Sequence, residues 1–282
     1  MSELAERFEE LRPGLLRLAY GQLGSLAESE DVVQEAWLRL QRVDPDEVRD
    51  LKGWLTTAVS RLALDTLRSA RVRREAYVGP WLPEPVVDEP GPAERATIAE
   101  DLSLALLVVL ESLSASERVA FVLHDVFGFD FAHVAEVLST TPQAARQHAS
   151  RARRAVEARR PRYPATPEQQ RAIITAFGKA ALEGDLDELV RMLHPDAVFT
   201  ADGGGKAVAA RKPIEGAERV ARVIRALAAK DGDGGMGFVD VNGMPGLLGV
   251  MGGMATVVHF TIDAGRIVAI DVQRNPDKLR LP

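Results

Sequence analysis

The chain has 282 residues, enough for two or three domains, and its 46% hydrophobic and 27% charged residues are typical of a globular protein. It contains no cysteine, which excludes a disulfide framework and a thiolate zinc site and agrees with a reducing cytoplasm as its location. The net charge of −6 argues against nucleic-acid binding only if the charge is evenly distributed.

The positive charge is concentrated in two short stretches. Residues 61–75 contain five arginines and two acidic residues, and residues 142–162 contain seven arginines and one acidic residue. Residues 1–50, in contrast, contain twelve acidic and six basic residues. Each basic stretch has the size of one nucleic-acid contact, although an arginine-rich helix can also be an ordinary solvated surface.

Residues 1–75 are predicted to form a helical domain. Apolar residues recur at helical spacing from Phe8 to Leu23, and Ser29 is a candidate N-cap for the next helix. A longer helix is expected from about Leu51 to Arg74.

Residues 76–100 are predicted to be a linker, because five prolines and two glycines occur between Gly79 and Pro92. The linker contains Trp81, which a flexible spacer does not need. We therefore expect this tryptophan to pack against a surface.

Residues 101–160 contain a pattern typical of a helix-turn-helix. Asp130 is expected to cap the first helix, and Thr141 with Pro142 to begin the second. Small residues on one face of the second helix allow close packing, and the opposite face carries side chains that can pair with base edges and phosphates. These predicted DNA-contacting residues are Gln143, Arg146, Gln147, Ser150, Arg151 and Arg154. The alternative is a helical hairpin with an arginine-rich solvent face.

Residues 167–282 are predicted to form an α+β domain. Helices are expected at about 168–182, 185–193 and 214–230. Strands are expected at about 197–201, 236–242, 247–251, 254–262 and 266–273.

The segment Ala27–Leu40 closely resembles region 2.2 of extracytoplasmic-function sigma factors, and Gly53–Arg68 resembles their regions 2.3 and 2.4. The helix-turn-helix then resembles region 4. The resemblance implies that region 2.2 binds the β′ clamp of core RNA polymerase, that region 4 reads the −35 element beside the β flap, and that regions 2.3 and 2.4 read the −10 element. The residues assigned to polymerase binding are Asp31, Gln34, Glu35, Leu38 and Arg39. Those assigned to the −10 element are Trp54, Thr57, Ser60, Arg61, Arg68 and Arg71, although Trp54 can equally well pack in the core.

The C-terminal extension resembles SnoaL-like domains, which are cone-shaped α+β relatives of ketosteroid isomerase. Three motifs, Tyr77–Pro85, Asp202–Lys206 and Asn275–Leu279, resemble the signature of the sigma-factor subgroup that carries this domain. The resemblance implies control by the extension rather than by a separate anti-sigma protein. The residues expected to form a regulatory interface are Trp81, Asp202, Gly203, Gly204, Gly205, Lys206, Asn275, Pro276, Asp277, Lys278 and Leu279.

The expected architecture is therefore multidomain, with two all-α sigma domains and a C-terminal α+β SnoaL-like domain. The main alternative is a one-component helix-turn-helix regulator that senses a ligand and never joins polymerase. An enzyme using His194, Asp196, His259 or Asp271 is a weaker alternative, because nothing in the sequence forces a base and an oxyanion site together. No cofactor, metal site or catalytic residue is expected, whereas a small ligand in the C-terminal domain is compatible with the sequence.

Overall fold

The computed structural model describes residues 3–44, 48–75, 77–88, 102–232 and 234–280. They fall into two units. The first contains residues 3–75 and nearly all of residues 102–159, and the second contains residues 77–88 and 160–280. Within these described ranges, no helix combines the length and the apolar character that crossing a bilayer requires.

The first unit is helical, as the sequence predicts. Its α-helices are α1 (Glu3–Leu23), α2 (Leu26–Leu40), α3 (Leu51–Glu75), α4 (Leu104–Leu110), α5 (Ala115–Phe121), α6 (Phe131–Leu138) and α7 (Pro142–Arg159), with a π-helical turn over Val122–Val126 between α5 and α6.

The prediction that Ser29 caps a helix was wrong. The N-cap of α2 is Ser25, whose hydroxyl accepts a hydrogen bond from the backbone N–H of Glu28. Ser29 lies one turn inside the helix, is buried, and donates its hydroxyl proton to the Ser25 carbonyl at 2.5 Å. Both serines precede acidic residues, but Ser25 has Glu28 three residues later, the spacing of a capping box, whereas Ser29 has Val32 there.

The three N-terminal helices pack on one apolar core. Leu15, Leu23, Leu40, Leu55 and Val59 are among its buried residues. Helices α5, α6 and α7 form a second cluster, in which α5 begins with a reciprocal capping box between Ser114 and Glu117.

The second unit is a seven-stranded sheet backed by helices. Its helices are α8 (Pro167–Glu183), α9 (Leu186–Met192) and α10 (Ala217–Asp231), and a 3₁₀ turn covers Pro276–Lys278. Its strands are β1 (Val87–Asp88), β2 (Leu193–Asp202), β3 (Ile214–Glu215), β4 (Gly237–Val241), β5 (Met244–Met251), β6 (Met254–Asp263) and β7 (Arg266–Gln273).

The sheet has the order β1-β4-β5-β6-β7-β2-β3, with β2 and β7 parallel and the other neighbours antiparallel. This confirms the predicted α+β class and the C-terminal antiparallel meander. The largest differences are at three boundaries: β2 begins four residues earlier than expected, β5 begins three residues earlier, and residues 214–215 form a short strand before α10.

The core of the second unit lies between the helices and one face of the sheet. Phe177 of α8 meets Phe260 of β6 edge to face, with ring centroids 6.3 Å apart. Val220 of α10 and Ile270 of β7 are buried in the same cluster. Alternate residues of β6 and β7 point into this core, so the period-two pattern of the sequence sets the face of each strand.

Residues 77–88 of the predicted linker belong to the second unit. Val87 and Asp88 form β1, which pairs with β4, and the N–H of Val86 donates to the Asn242 side chain at 3.0 Å. Leu82, Val86 and Val87 are buried. The segment therefore buries apolar side chains and ends in a two-residue edge strand. Residues 76 and 89–100 of the predicted linker lie outside the described part of the chain.

Candidate functional site

The helix-turn-helix consists of α6 and α7. The Asp130 carboxylate caps α6 by accepting the His133 N–H at 2.8 Å. Ser139 ends α6 in the left-handed region at φ 51°, and the Thr141 hydroxyl accepts the Ala144 N–H at 3.2 Å to begin α7. The turn therefore begins with a left-handed residue that ends α6 and finishes with a side-chain cap that starts α7.

One face of α7 is buried and the other is exposed. The buried face carries Ala145, Ala149, Ala152 and Val156. All six residues that the sequence assigns to the −35 element are exposed: Gln143, Arg146, Gln147, Ser150, Arg151 and Arg154. Together they form a continuous polar and cationic surface with the chemistry of a groove-reading helix.

Arg153 has a different role from its neighbours on α7. Its guanidinium donates to Asp125 from both Nε, at 2.8 Å, and a terminal nitrogen, at 2.5 Å. Arg153 therefore ties α7 to the π-helical turn, and Asp125 occupies the edge of the guanidinium that would otherwise meet a phosphate.

The residues assigned to the −10 element do not all share one surface. Trp54, Thr57 and Arg61 line a cavity of about 610 Å³ on the side of α3. Arg68 is exposed about two turns beyond Arg61, and its guanidinium lies 3.6 Å from Asp65. The side chain of Arg71 lies outside the described residues.

The structure corrects the assignment of Ser60. Its side chain is fully buried and accepts a hydrogen bond from Nε2 of Gln22 at 3.0 Å. Ser60 therefore joins α3 to α1 inside the helical core and has no surface to offer to DNA. Ser60 lies three residues after Thr57 and directly before Arg61 in the sequence, but its side chain points to the inner side of the helix.

A contact that the sequence did not suggest joins α3 to the helix-turn-helix. A terminal nitrogen of Arg61 donates to the backbone carbonyl of Glu136 at 2.9 Å and lies 3.4 Å from its carboxylate. His133 and Glu136 of α6 line the same cavity as Trp54. The two residues are more than 70 positions from Arg61, so no local pattern could have indicated the contact.

The outward face of α2 carries the residues assigned to polymerase binding. Asp31, Gln34, Leu38 and Arg39 are exposed and Glu35 is partly exposed. Glu35 and Arg39 form an i,i+4 pair at 2.9 Å. The opposite face of the helix is buried in the core. An exposed leucine flanked by charged side chains is typical of a helix that binds a partner along one side.

In the second unit, Asp202 is the centre of a buried polar cluster. It is fully buried, and its carboxylate accepts from the Tyr77 hydroxyl at 2.6 Å, the Leu82 N–H at 2.9 Å and the Lys278 ammonium at 2.7 Å. The N–H of Gly204 completes the cluster at 3.0 Å. One carboxylate thus joins the linker, the glycine-rich loop and the C-terminal tail.

The three motifs are held together by further contacts. The Asn275 side chain donates to the Tyr77 hydroxyl at 2.9 Å, and Lys206 pairs with Asp277 at 2.7 Å on the surface. The Lys278 ammonium lies 3.8 Å from the ring centroid of Trp81. Trp81 therefore packs on the tail lysine, within the predicted regulatory interface.

Burial raises the pKa of the Tyr77 phenol, and its hydrogen bond to Asp202 raises the pKa further. A phenolate beside a buried carboxylate would be strongly disfavoured, so Tyr77 remains a hydrogen-bond donor over the physiological range.

Comparison with known proteins gives two family matches that cover both helical regions. Residues 7–73 match Sigma-70 region 2, and residues 103–156 match Sigma-70 region 4. The ECF RNA polymerase sigma factor SigJ of Mycobacterium tuberculosis is 44% identical over 287 residues, which cover 96% of this chain and 91% of that protein. This chain belongs to the ECF RNA polymerase sigma factors.

A second relative of this sigma factor and the solved structure of SigJ also match along nearly the whole chain. SigI of Mycobacterium tuberculosis, described as a probable ECF sigma factor, is 34% identical over 95% of this chain and 92% of its own length. The crystal structure of SigJ superposes with a TM-score of 0.80 at 41% identity and covers 97% of each chain. The fused C-terminal domain is therefore part of the shared architecture. The alternative of a one-component regulator is not supported.

The weaker alternative of an enzyme also loses support, because sigma factors are transcription initiation factors. His259 and Asp271 are both buried and lie 4.0 Å apart on neighbouring strands, on the side of the sheet that carries Gln273. Asp196 is exposed and donates its N–H to Nδ1 of His194. These four residues are therefore divided between two sites.

Proposed function

We propose that this sigma factor binds the β′ clamp of core RNA polymerase through the outward face of α2. The observation that carries the proposal is the exposed row of Asp31, Gln34 and Leu38 on a helix whose other face is fully packed. Charged groups around an apolar anchor give orientation and specificity to a helix in a partner groove. The factor would act in the cytoplasm, where core polymerase is found.

The exposed face of α7 would then read the −35 element, next to the β flap. Trp54, Thr57, Arg61 and Arg68 would act at the −10 element, with Trp54 and Thr57 forming a pocket for an unstacked base. Arg61 would have to leave Glu136 before it could contact DNA, because its guanidinium donates to that residue. An exposed ion pair of this kind contributes about 0–1 kcal/mol, so polymerase and DNA can replace it.

Core-dependent runoff transcription on a candidate promoter tests this assignment. We expect a start-site-specific transcript only when this chain and core polymerase are both present, and loss of that transcript for Gln147→Ala with Arg151→Ala. Tight promoter binding by the chain alone, with no transcript in the presence of core polymerase, would contradict the proposal.

Control by the C-terminal unit is the second part of the proposal. Tyr77, Trp81 and Leu82 belong to the segment between regions 2 and 4, and all three contact residues of the tail or of the Asp202 cluster. A change in the tail would therefore change the linker that sets the two DNA-reading modules apart. Such internal control needs no separate anti-sigma protein.

Deleting residues 275–282 should change promoter activity several-fold. Lys278→Met should act in the same direction, because it leaves the buried Asp202 carboxylate without its ammonium partner. Lys212→Met is a matched control, since Lys212 is an exposed lysine of the same unit. Unaltered transcription by the truncated protein would count against control by the tail.

A further inference from the structure

The second unit contains a large cavity that the promoter-recognition machinery does not use. Its volume is about 860 Å³, within the range of small-molecule sites. It lies between α8, α10 and the helix-facing side of the sheet, and its wall is formed by apolar side chains. The larger apolar side chains of this wall include Phe177, Phe199, Leu227, Met236, Phe260 and Val272.

The charged residues of the described cavity wall are exposed or partly exposed, and none of them is buried. Among the described residues that line the cavity, the charged ones are Lys179, Glu183, Lys206, Lys230, Asp231 and Arg274. Lys179 pairs with Glu183 and Lys206 pairs with Asp277. This wall favours binding of an apolar body without chemical change.

Arg274 differs from the other cations of the cavity. Its two terminal nitrogens donate to the backbone carbonyls of Val208, at 2.5 Å, and Met251, and its Nε is buried without a hydrogen-bond partner. No carboxylate of the described residues pairs with it. A guanidinium has five N–H donors, and the carbonyls of Val208 and Met251 account for two of those of Arg274. A buried N–H that lacks an acceptor is destabilising, and a new acceptor would relieve this cost.

We propose that this cavity is a regulatory binding site for an amphipathic organic acid, with one carboxylate held by Arg274 and an apolar body in the cavity. A carboxylate accepts two parallel hydrogen bonds from one edge of a guanidinium. Movement of the Arg274 guanidinium away from the Val208 carbonyl would present such an edge to a ligand in the cavity. Met236, Met251 and Met254 line the cavity, and flexible thioethers adapt to the shape of an apolar chain.

The position of Arg274 connects the site to the tail. Its backbone N–H donates to the Asp202 carbonyl at 2.8 Å, and Asn275 follows it directly. Its side chain holds Val208, two residues beyond Lys206. A carboxylate that draws the guanidinium away from Val208 would act on the glycine-rich loop and the tail together. This link to promoter activity rests on the proposed function, whereas binding itself does not.

Calorimetric titration of the full chain with decanoate, below its micelle concentration, tests the proposal. We expect one bound decanoate per chain and at least ten-fold weaker binding of 1-decanol, which has the same chain without the charge. Arg274→Gln should weaken decanoate at least ten-fold and leave decanol unchanged. Arg222→Gln is the matched control, because Arg222 is exposed on α10 and pairs with Glu218.

A second variant distinguishes binding inside the cavity from binding to the protein surface. Leu227→Trp should fill the cavity and abolish binding of both probes, while far-UV circular dichroism confirms that the protein is folded. Absence of decanoate binding, equal affinity for decanol, or normal binding to the Leu227→Trp protein would each overturn the proposal. None of these measurements requires polymerase. A negative result would therefore overturn the ligand site without contradicting the proposed promoter recognition.

Discussion

Asp202 connects three segments of the chain that lie far apart in sequence. Its carboxylate accepts from Tyr77 and Leu82 of the linker and from Lys278 of the tail. A fully buried carboxylate is costly unless it is paired and hydrogen-bonded, and these three partners satisfy that condition. At this scale, the conformation of the linker depends on the protonation and pairing of a few side chains.

The first prediction concerns Tyr77 and high pH. The unfolded chain releases the phenolic proton near pH 10, whereas burial and Asp202 raise the pKa in the folded state. The neutral phenol therefore contributes stability in full below pH 10, and this contribution is lost as the pH rises above that value. We predict that the free energy of unfolding of the wild type falls more steeply from pH 9 to pH 11 than that of Tyr77→Phe, as measured by urea denaturation. Equal slopes would contradict the account of this hydroxyl.

The second prediction concerns Gly204. Its φ is +59°, and a Cβ at this position would overlap the side-chain amide of Asn275. Gly204→Ala should lower the free energy of unfolding by more than about 1 kcal/mol. Gly237→Ala is the control, because nothing lies within 4 Å of a Cβ there and the residue is exposed in the same unit. Similar melting temperatures for the two variants would contradict the packing described for this loop.

At the scale of the element, α7 combines two kinds of arginine on one helix. Arg151 is exposed on the DNA-reading face, whereas Arg153 is held by Asp125. Fewer arginines of α7 are therefore available to contact DNA than the sequence alone suggests.

The third prediction separates these two arginines. Arg151→Ala should reduce discrimination between the correct and a mutated −35 element by about 1–3 kcal/mol, if the side chain pairs with a base. Arg153→Ala should leave that discrimination unchanged and lower the stability of the first unit instead. Holoenzyme binding to the two promoter sequences, measured at one salt concentration, checks both outcomes. A larger loss of discrimination for Arg153→Ala would reverse the assignment.

Elements with a clear period were predictable from the sequence. The bounds of α7 and of β7 follow from a regular apolar pattern and from caps such as Thr141 and Pro142. Ser29 and Ser60 were assigned wrongly for a shared reason. Each is polar and fits a local pattern, but tertiary packing buries both. Contacts such as that of Arg61 with Glu136 depend on long-range packing, which no local pattern encodes.

At the scale of the whole molecule, the most specific sequence motifs predicted the family and the contacts between distant segments best. The segments resembling regions 2 and 4 identified the family, and the matches to residues 7–73 and 103–156 agree with it. The motifs around Trp81, Asp202 and Asn275 were expected to act together, and the structure brings them into contact. The cavity beside Arg274 was not predicted, because its lining residues come from seven separate elements and the loop at 206–210.

The central claim is that the outward face of α2 brings this sigma factor to core polymerase. Its most direct test is holoenzyme formation, measured by native gel and by light scattering, for a variant with Asp31→Lys and Glu35→Lys. We predict that this variant loses binding to core polymerase while it remains folded, and that Glu9→Lys, which changes the charge of an exposed residue on α1, binds normally. Holoenzyme formation by the double variant at the wild-type affinity would contradict the claim.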